Sequence, residues 1–307
     1  MHHAAARFIR ICRRPGMIVS MKSILDKANE RNYAVLAPDF FSEIDARSYI
    51  EAAEEMNAPI ILGVPYAAVN DLAYLGRIIG MLAEKSSVPV AINLDHGADI
   101  SQVAEAIRGG FTSVMIDCSM LPYDTNVMKV KEVVDLVSPL NISVEAEIGH
   151  VGSGESYDLS KGLTDPDEAV RFIRDTGIDA CAISIGNAHG AYRGTPHIDF
   201  ERLEKVKSMT RFPLVLHGSS GIGEEHIRRA CRSGINKVNV CYDLLKAAYT
   251  KIRHTSLIGS QIYDFWPLIS DTLREYIKNL ILITGSEGKA WDVRKSGLPR
   301  GNVTMKE

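Results

Sequence analysis

The chain has 307 residues, of which 46% are hydrophobic and 24% are charged, so it can bury a large core. Its formal net charge of -3 argues against a basic surface for nucleic acid or for an anionic membrane. No stretch of the sequence reaches the roughly 20 consecutive apolar residues that a membrane span requires.

The first 16 residues, MHHAAARFIRICRRPG, are basic and contain no acidic residue. They lack an apolar segment long enough for a secretory signal, which leaves an upstream extension or a transit peptide as interpretations. We expect a disordered extension over residues 1–16, one folded domain over 17–292 and a tail over 293–307. The five cysteines are odd in number and lie mostly in apolar runs, which predicts buried thiols in a reducing cytoplasm.

Short apolar runs alternate with helical patterns along the whole chain. Runs that are apolar on both faces are typical of parallel strands covered by helices. Eight such alternations without a break in composition favour a single TIM (β/α)8 barrel, with a doubly wound open sheet as the alternative. A closing helix is expected over Trp266–Leu282. The eight predicted strands are Ala34–Pro38, Pro59–Val64, Val88–Asp95, Ser113–Asp117, Ser143–Ile148, Ala180–Ile185, Pro213–His217 and Lys237–Val240.

The segment TDPDEAVRFIRDTG shows how clearly the intervening helices are marked. Asp165 is placed to cap the helix, Pro166 occupies its first position, and Gly177 follows its end. Val170 and Ile173 are expected to belong to its buried stripe.

Three histidines each stand at the downstream end of a predicted strand and beside a glycine loop. They are His96 in NLDHG, His189 in GNAHG and His217 in LVLHG. Three neutral imidazoles with an open fourth position describe a catalytic zinc site, and a barrel can gather them because its strand ends converge. The other histidines lack this setting and are interpreted as ordinary core or surface residues: His2, His3, His150, His197, His226 and His254.

Acidic residues accompany the histidines at the same strand ends. Asp95 directly precedes His96, and it is either an acid that transfers a proton to or from a substrate or a carboxylate that orients a histidine. Asp117 and Glu147 are metal ligands, partners of ligands, or acids of the barrel interior. These interpretations stay open on the residues alone.

Two glycine-rich loops follow predicted strands. HGSSGIG, residues 217–223, runs into a helix and is either a phosphate-binding loop or a plain tight turn. IGHVGSGESYD, residues 148–158, is either a mobile lid that delivers Glu155 or an ordinary surface loop.

Taken together, these segments resemble the class II, metal-dependent ketose-bisphosphate aldolases. The likeness extends from about Met17 to about Trp291. It is carried by NLDHG, SVMIDCSMLPYDTN, SVEAEIGHVG, LTDPDEAVRFIRDTGIDA, IGNAHGAY, LVLHGSSGI, KVNV and GSEGKA. The resemblance implies a TIM barrel and a zinc-dependent lyase that cleaves a phosphorylated ketose reversibly to dihydroxyacetone phosphate and an aldehyde.

The resemblance also assigns roles to individual residues. It implies that His96, His189 and His217 bind Zn²⁺, with Asp117 and Glu147 as further or alternative ligands. Asp95 matches the acid/base at the carbon where the bond breaks, and Glu155 matches the loop acid that moves a proton on the ketone half. The substrate or its phosphate is expected to contact Gly190, Gly218, Ser219, Ser220, Asn239 and Tyr242. A monovalent cation near the phosphate and a homodimer or homotetramer are implied as well.

The chain departs from the family pattern in part of the substrate shell. Asp39 stands where an asparagine is common after strand 1, and Pro65 stands after strand 2 where a serine often helps. Cys241 and Tyr242 replace the usual residues after strand 8, and Met120 replaces a polar residue. A carboxylate at Asp39 would repel a second phosphate, so we expect the aldehyde half, or even the phosphate pattern, to differ from that of fructose 1,6-bisphosphate.

Two other functions stay open at this point. A metal-dependent sugar-phosphate isomerase or epimerase would also pass through an enediolate, and it would yield one product rather than two fragments. A sugar-phosphate-binding barrel without catalytic activity would keep the fold without needing Asp95, Glu155 and the three histidines together.

Overall fold

The computed structural model describes residues 17–66, 71–154, 162–192 and 194–291. The predictions for residues 1–16, for the tail after residue 292 and for Glu155 lie outside these described residues.

Within the described part of the chain, eight parallel strands form one sheet in the order β1-β8-β7-β6-β5-β4-β3-β2. The two outer strands are joined by a parallel bridge between Asp39 and Gly63, and the Phe40 N–H donates to the Gly63 carbonyl at 2.9 Å. The sheet therefore curls into a nearly closed barrel, which confirms the predicted fold. The strands are β1 Val35–Pro38, β2 Ile60–Pro65, β3 Val90–Gly97, β4 Ser113–Ile116, β5 Ser143–Ile148, β6 Ala180–Ile183, β7 Leu214–Leu216 and β8 Ile235–Val240.

The helices surround this barrel, and short 3-10 turns follow α5 and precede α10 at Ser138–Leu140 and Gly259–Asp264. None of the described helices is long and apolar enough to cross a membrane. The helices are α1 Met21–Arg31, α2 Glu43–Glu55, α3 Leu72–Ala83, α4 Ile100–Gly109, α5 Tyr123–Val137, α6 Pro166–Thr176, α7 Phe200–Thr210, α8 Glu224–Arg232, α9 Tyr242–Arg253 and α10 Phe265–Thr284.

Helix α6 begins and ends where its sequence signals place it. The Asp165 side chain accepts from the Glu168 N–H, and Gly177 adopts the left-handed conformation at the C-cap. The predicted buried stripe was wrong in part, because Val170 and Ile173 are only half-buried, although Ile173 packs against the core. The row that faces the strands instead starts one residue earlier and consists of Ala169, Phe172 and Thr176.

Helix α1 closes the end of the barrel opposite the strand ends that carry the histidines. Its buried residues are Met21, Ile24, Leu25 and Ala28. They pack in one cluster with strand residues that point into the barrel: Val35, Ala37, Ile61, Ala91, Met115, Ala180, Ala182 and Val215. One end of the barrel is thus sealed by apolar packing, and polar chemistry is confined to the other end.

Four of the five cysteines lie in the described part of the chain, and all four are free thiols. Cys118, Cys181 and Cys231 are buried, and Cys241 is half-buried. These positions agree with the predicted use of cysteine as a small core residue.

Candidate active site

The three predicted histidines converge at the carboxyl end of the barrel. His96 lies at the end of β3, His189 follows β6, and His217 directly follows β7. One nitrogen from each ring lies within 4.8 Å of the others. The Nε2 atoms of His96 and His189 are 3.1 Å apart. Two nitrogens bound to one tetrahedral zinc lie about 3.3 Å apart, so the rings are spaced as a shared cation requires.

A local distortion of β3 brings Asp95 and His96 to the same cavity. His96 has a φ of 48°, and the pairing of β3 with β4 shifts register between Leu94 and Gly97. Adjacent residues of a regular strand point to opposite faces, and this turn removes that restriction. A left-handed conformation at a non-glycine residue is uncommon and unfavourable, and here it falls in the middle of the histidine site rather than at a helix cap.

The outward-facing ring N–H of each histidine donates a hydrogen bond to an oxygen. His96 Nδ1 lies 2.8 Å from the Asp117 carboxylate, His189 Nδ1 lies 3.1 Å from the Val151 carbonyl, and His217 Nε2 lies 2.8 Å from the Glu145 carboxylate. These bonds fix the ring orientation and leave the remaining nitrogen of each ring as a lone-pair donor. His217 Nδ1 is buried and has no hydrogen-bond partner among the described residues. The donor set therefore fits a divalent metal ion.

Charge at the site also favours a cation. Burial lowers the pKa of His96, but the carboxylates of Asp95, Asp117 and Glu147 outweigh it and raise the pKa to about 10. Burial and the positive charge of His96 lower the pKa of both His189 and His217. The acids thus stabilise one positive charge among the three rings, a role that a metal ion would fill.

Asp95 is buried at the cavity wall and is held in place by Asn239 on β8, whose Nδ2 donates to Asp95 Oδ1 at 2.9 Å. Burial raises the pKa of Asp95, but His96, His217 and Lys237 lower it by more. The pKa of Asp95 is therefore below its ordinary value. The side chain is therefore an oriented carboxylate within reach of whatever the histidines bind.

Asp117 and Glu147 lie behind His96. Together the three residues form a second group whose ligand atoms lie within 4.8 Å of one another. Glu147 accepts the Val151 N–H through Oε1 at 2.8 Å, and its buried Oε2 has no partner among the described residues. The structure therefore leaves both residues able to bind a metal directly or to support His96.

Comparison with known proteins adds the decisive observation. The family model described as class II fructose-bisphosphate aldolase matches residues 19–289. The chain belongs to the class II fructose-bisphosphate aldolase family. Members of this family are carbon–carbon lyases that depend on a metal, typically zinc, so the predicted enzyme class is confirmed.

The matches with curated relatives in this family cover almost the whole length of those proteins. A fructose-bisphosphate aldolase of Staphylococcus aureus is 35% identical over 283 residues, which is 89% of this chain and 99% of that protein. A 6-phospho-5-dehydro-2-deoxy-D-gluconate aldolase of Halalkalibacterium halodurans is 38% identical, with 89% and 98% covered. The crystal structure of the YdjI aldolase of Escherichia coli K12 superposes with a TM-score of 0.81 at 30% identity, covering 89% of this chain and 100% of that one.

Ten of the predicted site residues of this class II aldolase line one cavity of about 360 Å³. Asp117 and Glu147 lie behind it, and Glu155 is outside the described residues. The ten are Asp95, His96, His189, Gly190, His217, Gly218, Ser219, Ser220, Asn239 and Tyr242.

The loop after β7 is fixed tightly against its neighbours. Gly218 has a φ of 59°, and a Cβ there would lie 2.2 Å from the Ala188 carbonyl oxygen, so only glycine fits. The Ser219 hydroxyl donates to the Asn239 carbonyl at 2.5 Å, and the Ser220 hydroxyl accepts the Asp243 N–H at 3.1 Å. The predicted loop residues are thus assembled at one corner, although the Ser219 hydroxyl is directed at the backbone.

Tyr192 braces the same corner and was missed by the sequence analysis. Its hydroxyl donates to the Gly218 carbonyl at 3.1 Å and accepts the Ala188 N–H at 2.7 Å. Burial raises the pKa of Tyr192 to about 12, so the phenol keeps its proton. Its place in the segment HGAY, three residues after His189, was the available signal.

Lys237 and Glu145 form a buried ion pair behind His217 that the sequence analysis did not assign. Both side chains have no solvent exposure, and Lys237 Nζ lies 2.5 Å from Glu145 Oε2. The other carboxylate oxygen of Glu145 accepts from His217. A lysine inside an apolar strand, two residues before Asn239 on the same face, was the signal for an inward-facing charge.

His150 lies beside Glu147, one of the predicted site residues. Its Nδ1 is 2.9 Å from the Ser119 hydroxyl and 3.6 Å from a carboxylate oxygen of Glu147. The sequence analysis interpreted His150 as an ordinary core or surface residue, and the structure places it half-buried beside these two side chains.

Proposed function

We propose that the chain is a zinc-dependent aldolase that cleaves a phosphorylated ketose reversibly to dihydroxyacetone phosphate and an aldehyde. The observation that supports it most is the convergence of three histidine nitrogens whose opposite nitrogens are each bound to an oxygen. We assign the metal to His96, His189 and His217, with Asp117 and Glu147 as supporting or alternative ligands. The two curated relatives are named as aldolases of phosphorylated compounds.

The metal would act as a Lewis acid that stabilises the negative charge left on the ketone half when the carbon–carbon bond breaks. The chain's own residues would carry the protons. Asp95 is an oriented carboxylate that lines the cavity, so it can accept the proton of the hydroxyl on the carbon that becomes the aldehyde. In the synthetic direction, the same group would return that proton.

The second proton transfer is assigned to Glu155 on the resemblance alone. Glu155 follows the glycine-rich segment after β5, and a flexible loop there would let it approach the ketone half after the substrate binds.

The phosphate of the ketone half is proposed to lie at the corner formed by Gly190, Gly218, Ser219, Ser220 and Asn239, with Tyr242 at its edge. Backbone N–H groups of glycine-rich turns bind phosphate oxygens without the obstruction of a side chain. A monovalent cation beside this phosphate and a homodimer or homotetramer stay predictions of the resemblance, and a cytoplasmic location stays a prediction from the cysteines.

A screen of phosphorylated ketoses with zinc present tests the proposal, with release of dihydroxyacetone phosphate as the readout. We expect release of two fragments, complete loss of activity after chelation, and recovery on adding Zn²⁺ or Co²⁺. Turnover that persists in metal-free protein, or a product that is a rearranged ketose rather than two fragments, would contradict the proposal.

A further inference from the structure

The cavity has two ends with different chemistry. The glycine and serine loop after β7 forms one end, and the carboxyl ends of β1 and β2 form the other, where Asp39, Pro65 and Cys241 line the wall. If the phosphate of the ketone half occupies the first end, the aldehyde half of the substrate is left facing the second. The inference below rests on the proposed function in this respect.

Asp39 is built into the wall rather than placed loosely on it. Its N–H donates to the Val240 carbonyl at 3.0 Å, and its carbonyl accepts from the Tyr49 hydroxyl at 3.3 Å. Its carboxylate Oδ1 lies over Gly63 of β2, where a Cβ would be only 2.3 Å away. Because Gly63 has no side chain, the Asp39 carboxyl can occupy this position beside the cavity.

The surroundings of Asp39 are acidic and poorly hydrated. The residue is only 7% exposed, and its Oδ1 has no hydrogen-bond partner among the described residues. Burial and the negative charge of Asp95 raise the pKa of Asp39, although His96, the Cys241 thiol and Lys237 act against this. A phosphate dianion at this end would therefore lie beside two carboxyl groups in a medium that screens charge weakly.

Asp39 favours a hydroxyl group over a phosphate in either protonation state, and most strongly when it is ionised. As a carboxylate it repels a phosphate, and as a carboxylic acid it still supplies no positive charge to offset one. In both states it makes good hydrogen bonds with hydroxyl groups, accepting from them when ionised and donating to them when protonated. The neighbouring Pro65 and Cys241 side chains add an apolar surface for carbon atoms.

We infer that the substrate is a ketose 1-phosphate whose far end carries hydroxyl groups and no phosphate, and that Asp39 selects for it. In cleavage, the C3–C4 bond breaks and its electron pair stays on C3. The C4 hydroxyl gives its proton to Asp95 as C4 becomes the carbonyl of an uncharged aldehyde. C3 then takes a proton from the acid assigned above to Glu155, which yields dihydroxyacetone phosphate, and exchange with solvent returns Asp95 and Glu155 to their starting protonation states.

The synthetic direction gives the sharper test, because both acceptors can be compared against one donor. Zinc-loaded protein is given dihydroxyacetone phosphate with either D-glyceraldehyde or D-glyceraldehyde 3-phosphate, and kcat/KM for each acceptor is measured. We expect glyceraldehyde to be preferred by at least about tenfold, since like charges brought together discriminate against the phosphorylated partner.

Asp39→Asn keeps the shape of the side chain but cannot ionise. We expect it to move the acceptor ratio about tenfold or more toward glyceraldehyde 3-phosphate, while zinc content and the KM for dihydroxyacetone phosphate stay near those of the wild type. Asp135→Asn, an exposed aspartate on α5, is the matched control and should leave the ratio unchanged. Thermal melting of each variant checks that it folds, and Asp39→Ser is a second variant if Asp39→Asn does not.

The outcomes separate this inference from the proposed function. If neither acceptor is condensed and no ketose phosphate is cleaved, the proposed function itself is wrong. If both aldehydes are condensed but glyceraldehyde 3-phosphate is used equally well or better, only the selection by Asp39 is wrong. The ratio of kcat/KM for the two acceptors, measured on the wild-type protein, distinguishes these two outcomes even if no Asp39 variant folds.

Discussion

Two walls of the same cavity are built in different ways. The wall formed by β3 to β7 carries the three histidines, and each outward nitrogen is bound to an oxygen that is itself held by the fold. The wall formed by β8, β1 and β2 carries Asp39 and Cys241, and there the Asp39 backbone is bound to Val240 and Tyr49 while its Oδ1 has no hydrogen-bond partner among the described residues. Gly63 has no side chain, and this makes room for the Asp39 carboxyl group.

This difference suggests a division of labour within the barrel. The histidine wall is a connected network in which removing one group leaves others unpaired, so it tolerates little change. The opposite wall can exchange one side chain for another and alter the substrate without disturbing the metal site. The family likeness is strong in the first wall and departs from the pattern in the second, as this division predicts.

The largest expected effect on the histidine wall comes from Asp95→Ala. Removing the carboxylate takes away the group proposed to accept the hydroxyl proton, and general acid–base catalysis typically contributes about 10²- to 10⁴-fold. We expect kcat to fall by about that factor while zinc content, measured by elemental analysis, stays near one ion per chain. Asp99→Ala, at the N-cap of α4, is the control for loss of an aspartate outside the cavity. An Asp95→Ala protein with wild-type kcat would remove this residue from the mechanism.

A smaller effect on the same wall is expected from Lys237→Met. Methionine fills much of the lysine volume but leaves Glu145 without its counter-charge, and Glu145 orients His217. We expect zinc affinity, measured by competition with a chelating dye, to fall about 10- to 100-fold, as for other groups that support metal ligands. Unfolding free energy should also fall by about 3–5 kcal/mol, because one partner of a buried ion pair is removed.

Lys207→Met separates these two consequences. Lys207 is also a partly buried lysine, and its Nζ lies within 2.9 Å of oxygens of Asn29, Phe212 and Asn236. Its loss should destabilise the protein without changing zinc affinity, because its contacts do not include the histidine wall. If Lys237→Met and Lys207→Met affect zinc affinity equally, Lys237 does not position His217.

The sequence was sufficient for the strands and for the histidines. The strands are largely apolar, each of the three histidines is followed by a glycine, and parallel strands of a barrel bring their carboxyl ends together, so His96, His189 and His217 could be expected to meet. The cap of α6 could be predicted because Asp165 and Gly177 act within one turn of chain.

The supporting partners could not be predicted in the same way. Lys237 and Glu145 lie 92 residues apart on β8 and β5, and their contact depends on the register of the strands that lie between them. The hydrogen bond from His189 to the Val151 carbonyl cannot be predicted from the pattern of side chains, because any residue supplies a backbone oxygen. The stripe of α6 was displaced by one residue because several apolar side chains compete for the buried face.

The smallest effect expected concerns the reactivity of Cys241 in the opposite wall. Burial, followed by the negative charge and hydrogen bonding of Asp39, raises the pKa of the Cys241 thiol well above its ordinary value. Because the thiolate is the nucleophile, a raised pKa means that little reactive thiolate is present at pH 8. We expect alkylation of Cys241 by iodoacetamide at pH 8 to be at least about tenfold slower than in the urea-unfolded chain, as followed by mass spectrometry of its peptide.

Asp39→Asn should accelerate this reaction, whereas Asp135→Asn should not. If Cys241 reacts as fast in the folded wild-type protein as in the unfolded chain, the Asp39–Cys241 contact does not hold the thiol, and Asp39 is less firmly fixed than its place over Gly63 implies.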